Sequence, residues 1–310
     1  MFNYKSPDNN KVSIIGCGKV GMTAAYSIVQ SGLVNELVLV GRNKKALDGE
    51  KLDLDHGASF LKHTDVIATD NYEDIRYSDV VIITAGAGQK PGETRLDLTK
   101  KNLAIIEDII PKIVKYSPNS VILIVSNPVD ILTYHAYKLA QFPKGQIFGS
   151  GTTLDTSRFR YHLSQFLDVS PQSIHAYVLG EHGDSSFPVI ANSTVGGQPL
   201  NAFENFSEQK ALEAFEKTKN AAYKIIQAKG ATYYAIGIII NHIVEAILRD
   251  TKEVLPLSIP LHGYYDHYGV ALSVPCVVGK RGVERILQVK LSWEEKQMLA
   301  KSVETLKKYL

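Results

Sequence analysis

Six polar residues stand out by type and setting. His182 lies in Gly180-Glu181-His182-Gly183-Asp184-Ser185, and Asp155 and Arg158 in Leu154-Asp155-Thr156-Ser157-Arg158. Gln89 and Arg95 fall in the glycine-rich stretch 84–95, and Asn127 in Ser126-Asn127-Pro128-Val129-Asp130. Histidine titrates nearest neutral pH, so His182 can give and take a proton under working conditions. A carboxylate such as Asp155 would orient the ring and favour its charged form. One arginine fork suits a substrate carboxylate, and a second cation can meet charge developing on a carbonyl oxygen. Singly, each residue has a plainer reading. A loop histidine is more often structural, Asp155 and Arg158 are also an i,i+3 helix pair, and 86–92 also reads as surface loop. Together they form a set for hydride chemistry on a 2-keto acid.

A second group is built of glycine. Gly16-Cys17-Gly18-Lys19-Val20-Gly21 fits G-x-G-x-x-G between an apolar run and a helical pattern, the context that makes this spacing a dinucleotide site. Gly16 permits the tight turn, Gly18 lets a pyrophosphate approach the backbone, and Gly21 lets helix pack on sheet. About 20 residues on, where an acid ordinarily takes the ribose hydroxyls, the chain reads Val40-Gly41-Arg42-Asn43. Two readings of Arg42 stand: a partner for a 2′-phosphate, which admits NADP beside NAD, or a solvated loop residue.

The elements that must carry these groups follow from patterning. Runs rich in Val and Ile at 12–15, 37–40, 65–68, 80–84, 121–125 and 146–148 predict strands buried on both faces. Helical patterns fill the gaps at 20–31, 44–60, 99–116 and 129–139. The alternation predicts an α/β fold with a doubly wound parallel Rossmann sheet over residues 1–149. Residues 150–310 are expected to form a mixed α+β substrate-binding, catalytic and oligomerisation domain, with the boundary near Gly149 to Gly151. There, 154–166 predicts a helix, 175–179 a strand and Gly196-Gly197-Gln198-Pro199 a turn. Residues 208–250 predict helix interrupted at Gly230, 255–279 short strand-like runs, and 292–309 a helix with a Ser292/Glu295 capping box.

Composition sets the outer limits. At 310 residues and a formal net charge of +2, the chain is long enough for about two domains and too balanced for a general nucleic-acid binder. Cys17 and Cys276 are too few for a disulfide framework or a four-thiolate zinc site, so no metal is expected. No apolar run is long enough to span a bilayer, and 1–11 is polar, so a cytoplasmic protein without membrane contact is expected.

In order, the glycine loop, AGAGQKPGETRLDL, SNPVD, LDTSRFR and GEHGDS resemble the lactate/malate dehydrogenase family, and within it the bacterial L-lactate dehydrogenases. The resemblance runs from about Lys11 to the C-terminal helix. It implies reversible hydride transfer between NADH and pyruvate to give L-lactate. It makes His182 the proton donor, Asp155 the residue holding its ring, Arg158 the bidentate clamp on the substrate carboxylate, and Arg95 the cation polarising the carbonyl from a closing loop. Asn127 would bond near the carbonyl and nicotinamide, and Thr232 would shape the pocket. Along the cofactor it implies Gly16, Gly18, Val20, Gly21, Arg42, Tyr72, Gly86, Ala87, Val125 and Asn127.

Gln89 stands where malate dehydrogenases carry an arginine for the second carboxylate. An uncharged residue there leaves a dicarboxylate unpaired and favours pyruvate. Arg160 and His175 match positions that bind fructose 1,6-bisphosphate at a two-fold interface in bacterial members, and the family usually forms tetramers. Departures are Gly41 for the usual acid, Ala46 where lysine is frequent and Gly88 where asparagine is common. Competing readings are a dehydrogenase for malate or a bulkier 2-hydroxy acid, and a non-catalytic relative that binds cofactor.

Overall fold

The computed structural model describes residues 10–88 and 95–310, with only the main chain described for Arg95. The first half runs β1 Lys11–Ile15, α1 Lys19–Ser31, β2 Glu36–Val40, α2 Lys44–His56, β3 Asp65–Thr69, β4 Val80–Ile83, α3 Arg95–Tyr116, β5 Val121–Ile124, α4 Val129–Ala140 and β6 Ile147–Gly149. The six strands pair in parallel in the order β3-β2-β1-β4-β5-β6. Period-two alternation divides their side chains between two cores. Ile14, Leu39 and Ile82 enter one, with Ile28 of α1. Ile15, Val40 and Ile83 enter the other, with Ile106 and Ile110 of α3 and Leu132 of α4. Both faces are covered, which is why these strands read as unbroken apolar runs.

The second half runs α5 Thr153–Leu167, β7 Ile174–Leu179, β8 Phe187–Val195, β9 Gln198–Pro199, α6 Glu208–Lys229, α7 Tyr234–Leu248, β10 Glu253–Tyr264, β11 His267–Gly279, β12 Gly282–Ile286 and α8 Trp293–Lys307. Strands β7, β8 and β9 form a separate antiparallel sheet. Strands β10, β11 and β12 instead join the first sheet antiparallel, through the single pair Ser258↔Gly149, and extend it to nine strands. The halves therefore share one sheet. Helices α1 and α7 also pack across them: a Cβ at Gly237 would lie 2.6 Å from Thr23 Cγ2, so this crossing needs glycine.

Two expectations are corrected. The short runs expected within 255–279 are two long strands, because prolines that demote a strand in sequence sit here where no ladder bond is lost. Pro256 faces Pro275 in register, and their carbonyls turn outward to the Thr153 hydroxyl and the Leu287 N–H. The helix expected over 44–60 stops at His56, where Gly57 breaks it before a short 3-10 turn, Ala58–Phe60. Elsewhere Gly230 caps α6 at φ +81°, donating its N–H to the Ile226 carbonyl, and both halves of the Ser292/Glu295 capping box form.

Candidate active site

The joint between the halves fixes the start of α5. The Thr152 N–H donates to Ser273 Oγ at 3.0 Å, and the Thr153 hydroxyl to the Pro256 carbonyl at 3.1 Å. Asp155 and Arg158, three apart, then share one face of the first turns. Opposite them, β7 ends at Leu179 and the chain turns at Gly180, whose φ of +92° brings its N–H and carbonyl to Ser273. The next residue, Glu181, is buried and accepts from the Ser185 N–H and hydroxyl, while its own N–H donates to Ser302 Oγ of α8. His182 comes next on this braced turn.

His182 Nδ1 lies 2.7 Å from Asp155 Oδ2, and Arg158 Nη1 donates to Asp155 Oδ1 at 3.2 Å. Burial alone would neutralise both groups. For Asp155, the adjacent His182 charge and hydrogen bond, then Arg158, outweigh burial and hold the carboxyl below its ordinary value. For His182, burial is outweighed by the charge and hydrogen bond of Asp155 and the charge of Asp130, and its pKa is raised. An ionised Asp155 only accepts, so it keeps the Nδ1 proton in place and leaves Nε2 to exchange. The His182 side chain remains 27% exposed, so the ring is reachable. Arg158 Nη2 is buried and has no partner among the described residues. A buried guanidinium nitrogen without an acceptor is costly, and a ligand carboxylate would satisfy it.

A second carboxylate, which sequence reasoning did not assign, lies on the other side of His182. Asp130 accepts the His182 main-chain N–H at 2.7 Å and the Ser258 hydroxyl at 2.6 Å. It is 3% exposed, and burial, opposed by those two hydrogen bonds, pushes its pKa up to about 6. Its only signal in sequence was an acid at the start of a helix after Ser126-Asn127-Pro128. Asn102 of α3 was also missed. It is buried, accepts the Ala87 N–H at 2.7 Å and donates to the Asn127 carbonyl at 2.7 Å, which ties the two loops together. Nothing in the sequence distinguishes it from other helix residues.

The remaining expected residues sit in varied settings. Asn127 is exposed after β5, and its Oδ1 accepts the Val129 N–H at 3.3 Å. Thr232 is half-buried between α6 and α7, and among the described residues no hydrogen bond joins it to the His182 cluster. Gln89 lies outside the described residues. The Arg95 main chain opens α3, and its side chain also lies outside them. Arg160 of α5 donates Nε–H to the Ala176 carbonyl at 3.0 Å, one residue along β7 from exposed His175.

The glycine loop fits a dinucleotide. A Cβ at Gly16 would strike Ala85 N at 2.3 Å, and one at Gly21 would strike the Gly16 carbonyl at 2.2 Å. At Gly18 a Cβ would meet nothing within 4 Å, and Gly18 caps α1 with no side-chain bond. The loop thus leaves open space against a helix N-terminus, as an anion requires. Val20 and Val125 are half-buried beside it, with the Val125 N–H on the Ile83 carbonyl. Gly86 is exposed and Ala87 half-buried on the loop after β4. Arg42 is exposed after β2. Tyr72 packs toward α3, with Lys112 Nζ 4.8 Å from its ring, and burial followed by Asp108 pushes its pKa up to about 12.

Residues 10–149 match the family model for the lactate/malate dehydrogenase NAD binding domain, and residues 152–310 that for the lactate/malate dehydrogenase alpha/beta C-terminal domain. The chain is 47% identical over 307 residues to L-lactate dehydrogenase 1 of Clostridium acetobutylicum, covering 97% of this chain and 98% of that protein. It is 46% identical over 308 residues to an L-lactate dehydrogenase of Acetivibrio thermocellus, covering 97% and 96%. The crystal structure of a minor L-lactate dehydrogenase from Enterococcus mundtii, in the ligands-bound form, superposes with a TM-score of 0.94 at 40% identity, covering 97% of this chain and 98% of that one.

Proposed function

The chain belongs to the lactate/malate dehydrogenase family, and from that premise we propose that it is an NAD-dependent L-lactate dehydrogenase interconverting pyruvate and L-lactate. The observation that carries the reading is one carboxylate, Asp155, bridging His182 and Arg158 while Arg158 Nη2 is buried with no acceptor among the described residues. A nicotinamide dinucleotide held at the glycine loop would supply the hydride. Arg158 anchors the substrate carboxylate through its free nitrogen. Asp155 fixes the ring of His182 and favours its protonated form, and His182 delivers that proton to the keto oxygen. In lactate oxidation neutral His182 takes it back. Arg95 polarises the carbonyl, Asn127 bonds beside it, Thr232 shapes the methyl end, and Gln89 leaves that end uncharged. Gly16, Gly18, Val20, Gly21, Gly86, Ala87 and Val125 hold the dinucleotide, with Tyr72 and Arg42 toward the adenosine end.

The proposal extends to a cytoplasmic homotetramer activated by fructose 1,6-bisphosphate at Arg160 and His175. Exposed Tyr26 on α1 and Tyr234 and Ile238 on α7 support a subunit contact. Among the described residues no helix is long and apolar enough to cross a membrane. The test is pyruvate reduction followed through NADH consumption, with product chirality, a keto-acid panel and a bisphosphate titration. Turnover only on oxaloacetate or a bulkier keto acid would move the assignment within the family. Cofactor binding without any turnover would point to a non-catalytic relative. A pyruvate KM that ignores the bisphosphate would remove the effector site, and a light-scattering mass other than four chains would remove the tetramer.

A further inference from the structure

Strand β2 delivers the chain directly to the phosphate loop. The Val40 carbonyl accepts the Gly16 N–H at 2.9 Å, and the Gly41 N–H continues onto the Thr69 carbonyl at 3.1 Å. The residue after this strand end is the one from which an acid ordinarily takes the adenosine ribose hydroxyls. Here it is Gly41, and a Cβ built on it would lie 3.1 Å from Leu47 Cδ1. Leu47 is itself buried in the core, so a side chain at this position requires Leu47 to give way by a few tenths of an ångström.

The stretch immediately after Gly41 is cationic. Arg42, Lys44 and Lys45 are all exposed, and the first turn of α2 carries no acid. Asn43 caps that helix by accepting the Ala46 N–H at 3.2 Å, so its side chain is used locally. Lys44 is paired with Asp48, whereas Arg42 and Lys45 have no ion-pair partner among the described residues. Glu50, on a later turn of α2, only adds to burial in raising the pKa of the Cys17 thiol.

We propose that this end of the site accepts a 2′-phosphate on Arg42, so that the protein binds NADPH about as well as NADH. The inference rests on the dinucleotide reading above. Two effects act in the same direction. Without the acid, NADH loses the hydrogen bonds to its ribose hydroxyls, and NADPH meets no like charge. A guanidinium fork then offers a 2′-phosphate two charge-assisted hydrogen bonds that a ribose hydroxyl cannot match. Lys45 adds a longer-range attraction that salt should weaken.

Fluorescence titration of the whole chain with NADH and NADPH tests this, with ADP and 2′,5′-ADP as competitors. The two reduced cofactors should bind within about tenfold of each other, and 2′,5′-ADP should displace NADH at least as well as ADP does. Arg42→Ala should shift the NADPH-to-NADH affinity ratio toward NADH by about ten- to a hundredfold, the size of one or two charge-assisted hydrogen bonds. Gly41→Asp should shift it further, with melting curves to check that Leu47 has been accommodated. NADPH binding more than about a hundredfold weaker than NADH would overturn the proposal. So would an Arg42→Ala ratio equal to wild type. Failure of both nucleotides to bind would instead overturn the dinucleotide reading itself. The competition with 2′,5′-ADP needs no variant, so it decides the question even where a substitution unfolds the chain.

Discussion

Asp155→Asn keeps the shape of the side chain and removes its charge. Asp155 receives two donors, His182 Nδ1–H at 2.7 Å and Arg158 Nη1–H at 3.2 Å. A carboxylate offers each an acceptor, but an amide has one carbonyl oxygen and one NH2. With its oxygen toward His182 it points N–H bonds at the guanidinium. Turned the other way, it forces the imidazole into the opposite tautomer. Burial and the Arg158 charge would then act on His182 with only Asp130 against them, so the raised pKa must fall. Pyruvate reduction needs the ring protonated, and lactate oxidation needs it neutral. The alkaline limb of reduction and the acid limb of oxidation should therefore both move to lower pH. All three side chains are at most 27% exposed, so solvent screens the pair little. Loss of a positioned general acid–base costs about 10²- to 10⁴-fold in rate, or about 3–5 kcal/mol of barrier. Steady-state kcat and kcat/KM in both directions across the pH range measure this. At any one pH the equilibrium constant ties the two directions together, so the limbs carry the information. A loss below about tenfold, with limbs unmoved, would refute the reasoning. The pair also shapes stability. Asp155 contributes above its ordinary 3.8 and loses that contribution as pH falls through its lowered value, while His182 contributes below 6.5 and loses it as pH rises through its raised one.

Four further substitutions have expected outcomes. Asp130→Asn should fold, since its amide oxygen can accept the His182 N–H while its NH2 donates to Ser258 Oγ, and should move the same limbs to lower pH by less. Because Asp130 titrates near 6 folded against an ordinary 3.8, the wild type should lose on the order of 3 kcal/mol relative to this variant between those two values as pH rises, read by urea unfolding. Gly21→Ala should lose about 1–3 kcal/mol by melting and most NADH affinity, since its Cβ meets the Gly16 carbonyl at 2.2 Å. Gly18→Ala, with open space around its Cβ, should melt like wild type yet still weaken NADH, and normal affinity there would undo the cradle argument. Gln89→Arg should raise kcat/KM for oxaloacetate over pyruvate by about tenfold or more, and an unchanged ratio would remove Gln89 from substrate choice.

Legibility in the sequence followed locality. The parallel strands could be read because both faces of each are covered, which leaves an apolar run with no solvent face to confuse. The glycine loop could be read because its three glycines answer to sterics within one turn of the chain. His182, Asp155 and Arg158 could be listed, but their contact depends on a braced α5 and the left-handed turn at Gly180. Asp130 and Ser258 meet only because β10 docks on β6, a pairing between distant residues that no local pattern announces. Strands β10 and β11 were obscured by Pro256, Pro260 and Pro275; Pro256 faces Pro275 and Pro260 faces Ala271, a placement decided by register.

That docking also bears on how the chain is made. The parallel sheet is complete through β6 once Gly149 has been synthesised, but the neighbour that covers its last strand is not made until Ser258. Until then an apolar strand, all three of whose residues are buried in the finished protein, lies at an open sheet edge. Such an edge invites pairing with another chain. A polypeptide ending at Gly149 is therefore expected to build the nucleotide half and then self-associate, and a ribosome paused before Ser258 would expose the same surface in the cell. The pairing of Ser258 with Gly149 is thus also the step expected to cover the nascent sheet edge.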